Sequence, residues 1–119
     1  MKLRIAVEGL GACAGCEIAI LDLHEELVSL LQDLEIDYAP ILIDRKSLKE
    51  NVDVLLLSGS VRNEHDAEEA VRLSEKAKIT IALGSCASFG GIPGLANLYA
   101  TRELLELSLI HISEPTRPY

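Results

Sequence analysis

Leu3-Arg4-Ile5-Ala6-Val7-Glu8-Gly9-Leu10-Gly11-Ala12-Cys13-Ala14-Gly15-Cys16 opens the chain with a short apolar run, a small-residue loop and a paired thiol motif. The run predicts a buried strand over 3–7, and Gly9 to Ala12 predict a tight loop. Beyond Cys16, the apolar residues Ile20, Leu23, Leu27, Leu30, Leu31 and Leu34 step by three and four. That spacing predicts an amphipathic helix to about Leu34. Asp22, Glu25, Glu26, Ser29 and Asp33 supply its polar face.

Outward from this stretch, Glu35 to Ile43 reads as a second strand. Pro40 within it marks an edge position, because proline donates no ladder hydrogen bond. Lys46 to Asn51 is a charged connection. Val52 to Leu57 is nearly all apolar, as in a parallel strand covered on both faces. Ser58-Gly59-Ser60-Val61 forms its exit loop. Asn63 caps a helix to about Lys78, with Asp66 three residues on in capping-box fashion. That helix packs through Ala67, Ala70, Val71, Ser74 and Ala77. Ile79 to Leu83 is the fourth strand and leads to Cys86. Gly90-Gly91-Ile92-Pro93-Gly94 reads as a rigid loop, and Asn97 as the cap of a helix from Leu98 to about Leu107.

This order predicts an α/β, flavodoxin-like fold: a mostly parallel sheet, strand order 2-1-3-4, with flanking helices. The second and third strands are close in sequence for a right-handed crossover, so a loop or a single turn must join them. In such sheets ligands bind outside the carboxyl ends of the strands. Cys13, Cys16, Ser58 to Val61, and Cys86 all fall at that edge.

The chain has 119 residues, 49% hydrophobic but only 3% aromatic, so Leu, Ile, Val and Ala must build its core. Its net charge of −8, with no basic stripe, argues against nucleic acid and anionic membrane surfaces as partners. No apolar run approaches the ~20 residues of a membrane span. The chain enters a strand at once, leaving no room for a signal peptide. Three cysteines, an odd count, disfavour a secreted disulfide framework. The expected location is cytoplasmic.

The Cys13-x-x-Cys16 motif alone is open to several readings. It fits a thioredoxin-like redox pair, half of a zinc site, two ligands of an iron–sulfur cluster, or plain free thiols. Cys86 favours the cluster, because a dithiol pair needs no third thiol at the same edge. Gly9, Gly11, Gly15 and Gly84 leave backbone N–H groups free to approach cluster sulfides, and such hydrogen bonds tune a reduction potential. A 4Fe-4S cubane normally takes four thiolates, and this sequence holds three.

Cys13-Ala14-Gly15-Cys16-Glu17, Leu21-Asp22-Leu23, Ser58-Gly59-Ser60-Val61-Arg62, Ala82-Leu83-Gly84-Ser85-Cys86-Ala87 and Gly90-Gly91-Ile92-Pro93-Gly94-Leu95-Ala96-Asn97 together resemble the small subunit of NiFe-hydrogenases. The likeness is to the cytoplasmic, methyl-viologen-reducing and deazaflavin-linked type, within the superfamily of the 20 kDa subunit of NADH:ubiquinone oxidoreductase. It covers residues 1 to about 107. It implies an oxidoreductase subunit without a complete active site of its own. A flavodoxin-like domain would hold the 4Fe-4S cluster nearest the NiFe site of a partner large subunit, with a further electron-transfer subunit beyond.

Matched by position, Cys13, Cys16 and Cys86 would be three cluster ligands, with Gly11, Gly15 and Gly84 in the cluster's surroundings. The family's fourth ligand, in a Gly-Cys-Pro stretch, has no counterpart here. Position 19 is alanine where that type more usually has serine. The resemblance makes Glu17 a candidate for moving protons; a helix first-turn glutamate favoured by the dipole is the plain alternative.

The chain is accordingly expected to be an N-terminal fragment. Residues 1–109 would form an incomplete cluster-binding domain, and 110–119 an unstructured tail not native to the family. His24 and His65 read as helix-edge and helix-start residues. His111 would be a fourth ligand only from within that tail. Two other functions fit the residues: a thiol–disulfide oxidoreductase using Cys13 and Cys16, and a non-catalytic flavodoxin-like docking domain.

Overall fold

A computed structural model describes residues 1–106. Four strands, β1 (Leu3–Gly9), β2 (Leu34–Tyr38), β3 (Val52–Ser58) and β4 (Ala77–Leu83), form one sheet in the order β2-β1-β3-β4. Every neighbouring pair is parallel, so the sheet has the expected order. Ala6 pairs with Leu55 and Leu55 with Thr80, which places these three on one face. Ala6, Tyr38, Leu48, Val52, Leu55 and Leu73 close into the core, with Leu57 and Ala77 packed against it.

Leu73 comes from α3 (Glu64–Glu75). Its start is fixed by Asn63, whose Oδ1 accepts the Asp66 N–H at 2.9 Å, as the sequence predicts. Glu64 and Asp66 in the first turn and Arg72 in the last suit the helix dipole. Residues 39–51, joining β2 to β3, contain no helix or strand. The loop is held by Leu48, 2% exposed, and by Lys76 Nζ donating to the Leu48 carbonyl at 2.7 Å. Beside it, buried Asp37 accepts from Arg4 at 2.6 Å and from Arg45.

Several elements differ from expectation. The helix expected over 16–34 is two short ones, α1 (Gly15–Leu21) and α2 (Glu25–Leu30). The break falls where His24 adopts φ +50°, after Leu23 and His24 donate short-range bonds to the Ile20 and Leu21 carbonyls. β2 ends at Tyr38, so Pro40 lies outside the strand, although β2 does occupy an edge. The Ala39 carbonyl accepts from both Leu42 and Ile43, turning the chain there.

Gly91–Gly94 is a single helical turn, α5, rather than part of the expected rigid loop. Asn97 sits inside a 3-10 turn (Leu95–Leu98) and caps nothing. The next helix, α6 (Thr101–Glu106), starts later, where extended Tyr99 ends the turn and Glu103 Oε2 accepts the Ala100 N–H at 2.8 Å. The tail from 110, with His111, lies outside the described residues.

β4 forms the other edge of the sheet. Its Ile79 and Ile81, which pair with Val54 and Leu56, are 58% and 44% exposed. No helix among the described residues is long and apolar enough to cross a membrane.

Candidate metal centre

Because all four strands run the same way, the loops after β1, β3 and β4 meet at one edge. Cys13 and Cys16 follow β1, Ser58 to Arg62 follow β3, and Cys86 follows β4. Cys86 lies in the first turn of α4 (Gly84–Phe89) instead of the expected loop. All three cysteines are free thiols, Cys13 exposed and the other two half-buried.

Cys16 feels the other two. The Cys16 thiol is pushed up chiefly by burial, then by Glu17, Cys86 and Cys13. Gly84 brings the end of β4 against Cys16: a Cβ there would collide with the Cys16 sulfur, and its φ of +85° already favours glycine. A Cβ on Gly91 would lie 3.0 Å from the Cys86 sulfur, and one on Gly15 3.2 Å from that of Cys13. Each of the three sulfurs thus faces a glycine. Between Cys13 and Cys16, Ala14 adopts φ +64°, a left-handed conformation that costs a non-glycine residue about 1 kcal/mol or more.

Gly11 is the hinge of the Cys13 loop. It exchanges backbone bonds with Ser60, donating at 2.9 Å and accepting at 3.1 Å, in an isolated antiparallel bridge. The loops after β1 and β3 are laced together in this way.

Glu17, in the first turn of α1, is 2% exposed. Its Oε1 accepts from Ser58 Oγ at 2.5 Å, and its Oε2 is buried without a partner. It packs against Gly9, whose Cα leaves no room for a Cβ beside the carboxylate. Glu8 and Glu17 line a small cavity of about 60 Å³ with Gly9, Ala39 and Pro40. On the opposite face of β1 from Val7, Glu8 accepts from the Tyr38 hydroxyl at 2.6 Å. Burial pushes the Glu8 carboxyl above its usual range, and burial and Glu8 together push the Tyr38 hydroxyl up.

Sequence reasoning missed Ser58 as the partner of Glu17. Forty-one residues separate them, and only the parallel pairing of β1 with β3 joins them. His24 and His65 are exposed; His65 stands at a helix start as expected, whereas His24, expected on the edge of one long helix, sits at the break before α2.

Among the described residues, no three His, Cys, Asp or Glu side chains converge as the donors of a single ion do. A cluster spaces its thiolates more widely, since they bind different irons. Three free thiols against glycine backbone at one sheet edge are a donor set of the chemistry iron–sulfur clusters use.

Comparison with known proteins agrees with this architecture. The chain is 49% identical over 105 residues to a vhu subunit of the F420-non-reducing hydrogenase of Methanocaldococcus jannaschii, covering 88% of this chain and 36% of that protein. It is 38% identical over 125 residues to the iron-sulfur subunit of the F420-non-reducing hydrogenase of Archaeoglobus profundus, covering 99% and 39%. It is 31% identical over 104 residues to the delta subunit of the NAD-reducing hydrogenase HoxS of Cupriavidus necator, covering 87% and 49%. The chain thus spans a little over a third of the length of the first two and about half of the third. A chain in the crystal structure of an NAD+-reducing [NiFe]-hydrogenase in the H2-reduced state superposes with a TM-score of 0.82 at 32% identity, over 88% of this chain and 58% of that one. The family model described as NADH ubiquinone oxidoreductase, 20 Kd subunit, matches residues 13–115 and so runs past position 110. With its family model spanning both thiol-bearing loops and its fold shared with a hydrogenase chain, the chain belongs to the NADH ubiquinone oxidoreductase 20 Kd subunit family.

Proposed function

We propose that this chain is the electron-transfer subunit of a NiFe-type hydrogenase. Cys13, Cys16 and Cys86 would ligate a 4Fe-4S cluster, the one proximal to the NiFe site of a partner large subunit. Bound there, the cluster supplies a one-electron relay between that site and a further electron-transfer subunit. The observation that carries this reading is the meeting of three free thiols at the carboxyl edge of a parallel sheet.

The chain's own residues do the rest. Gly15, Gly84 and Gly91 keep side chains away from the three sulfurs, which would leave backbone N–H groups free to approach what the thiols hold, while Gly11 makes room for Arg62 beside them. Partial burial of Cys16 and Cys86 limits solvent access, which favours electron transfer without loss of iron. Glu17, buried next to Cys16 in sequence and with Oε2 unpartnered, would pass a proton through Oε2 while Ser58 steadies Oε1. The names of the relatives, which are hydrogenase subunits and in one case an iron-sulfur subunit, support the same reading.

Anaerobic reconstitution with iron and sulfide tests it. The expected result is a broad visible absorption that bleaches with dithionite and a paramagnetic signal in the reduced sample. A reversible Cys13–Cys16 disulfide with no iron uptake would instead establish the thiol–disulfide oxidoreductase.

A further inference from the structure

Arg62 belongs to none of the roles above, yet it is built into the same edge. Its side chain lies over Gly11: a Cβ at that position would collide with Cγ, Cδ and Nε of Arg62. The glycine in the Cys13 loop therefore makes room for an arginine from the loop after β3. Arg62 is anchored there by Asp66, 6% exposed, whose Oδ2 accepts from the Arg62 backbone N–H at 3.1 Å and from Nε at 3.3 Å. These bonds, the backbone N–H foremost, hold the Asp66 carboxyl below the usual range. The two terminal guanidinium nitrogens have no protein partner among the described residues. Arg62 and Cys86 line one open cavity of about 670 Å³.

We propose that Arg62 is a positioning residue with an electrostatic role: it ties the Cys13–Cys16 loop to the start of α3 and raises the reduction potential of the group held by the three thiols. The inference rests on the cluster reading above. One-electron reduction adds a negative charge to a centre already rich in thiolate charge. An arginine lining the same cavity as Cys86 stabilises the reduced state through its positive charge, which arginine keeps at every relevant pH. Asp66 carries the opposite charge, so its field on the same centre has the opposite sign. A packing role would predict no such opposition.

The test is a redox titration, followed by paramagnetic resonance, of the reconstituted full chain and its R62Q, R62K and D66N variants. Circular dichroism and iron content are measured on each. R62Q is expected to shift the midpoint potential negative with iron content unchanged. R62K is expected to stay near the parent value. D66N, whose carboxamide oxygen still accepts from Arg62, is expected to shift it positive. A parent-like potential in R62Q, or shifts of the same sign in R62Q and D66N, would overturn the proposal. Should R62Q lose its iron, the sign of the D66N shift decides: positive supports the proposal, zero or negative overturns it. A parent chain without a bleachable chromophore would overturn the cluster reading itself, and with it this inference, before any variant is compared.

Discussion

The Ser58 hydroxyl donates a 2.5 Å hydrogen bond to Glu17 Oε1, joining the end of β3 to the first turn of α1 inside the protein. Ser58 is fully buried and Glu17 nearly so. The other carboxylate oxygen of Glu17 has no partner, so this bond anchors the group. Ser58→Ala should therefore destabilise the fold by about 2 kcal/mol, the cost of leaving a buried acceptor unpaired. Urea denaturation reports it. A change within the ~0.5 kcal/mol typical of surface substitutions would mean that water reaches Glu17 in solution.

Glu8 gives a pH signature. Burial raises its folded-state pKa above the unfolded value. A carboxyl shifted that way contributes stability that is complete below the unfolded pKa, about 4.3, and is lost as pH rises through the folded value. Glu8→Gln keeps an acceptor for the Tyr38 hydroxyl but never ionises. It should be more stable than the parent at neutral pH and no more stable at about pH 4, where the parent carboxyl is itself largely protonated. Thermal unfolding across that range checks it; a gain of equal size at both ends would place its cause elsewhere.

Asp37 anchors the loop that replaces a crossover helix. It is 4% exposed and accepts from Arg4 and Arg45. Asp37→Ala should cost about 2 kcal/mol, the loss of charge-assisted hydrogen bonds from two partly exposed arginines to one buried carboxylate. Arg45→Ala should cost less, because Arg45 is more than half exposed and Arg4 still serves Asp37. Equal losses would show that loop packing through Leu48, not the charge cluster, carries the effect.

Two glycines make an internal control. Gly84→Ala must place a methyl against the Cys16 sulfur at φ +85°. It should destabilise by about 1 kcal/mol or more and reduce iron retention after reconstitution. Gly94 has nothing within 4 Å of a Cβ and helical dihedrals, so Gly94→Ala should be neutral or slightly stabilising. Iron loss in both variants would point to general instability of this edge.

An exposed apolar face should be visible in solution. Ile79 and Ile81 of β4 stand open beside Val54 and Leu56. The Ile79→Lys/Ile81→Lys double variant should bind less of a hydrophobic dye than the parent, with little change in circular dichroism. Unchanged dye binding would locate the accessible apolar surface elsewhere, as at Phe89, Ile92 and Leu98.

The sheet was legible because its strands are short apolar runs, and the parallel order follows from their connections. The capped start of α3 was legible because Asn63 and Asp66 are a local signal. The helix break at His24 was not: the spacing of the apolar residues continues across it, and the positive φ has no glycine to announce it. The start of α4 was missed because Gly84 reads as a loop residue, although its φ of +85° is what turns β4 into the helix. The thiols were legible as spacing plus strand ends. The Arg62–Gly11 contact and the Ser58–Glu17 bond join residues 51 and 41 positions apart, and no local pattern encodes either.

One cluster held jointly by the loops after β1 and β4 is the proposal on which the others depend. Its decisive comparison is the iron and sulfide content and visible spectrum of reconstituted Cys86→Ala, set beside the parent. We expect an iron-loaded parent and a variant that loses the chromophore and nearly all its iron while keeping its circular dichroism, because two thiolates from one loop do not hold a cubane. Unchanged iron content and spectrum in Cys86→Ala would remove Cys86 from the site and refute joint ligation.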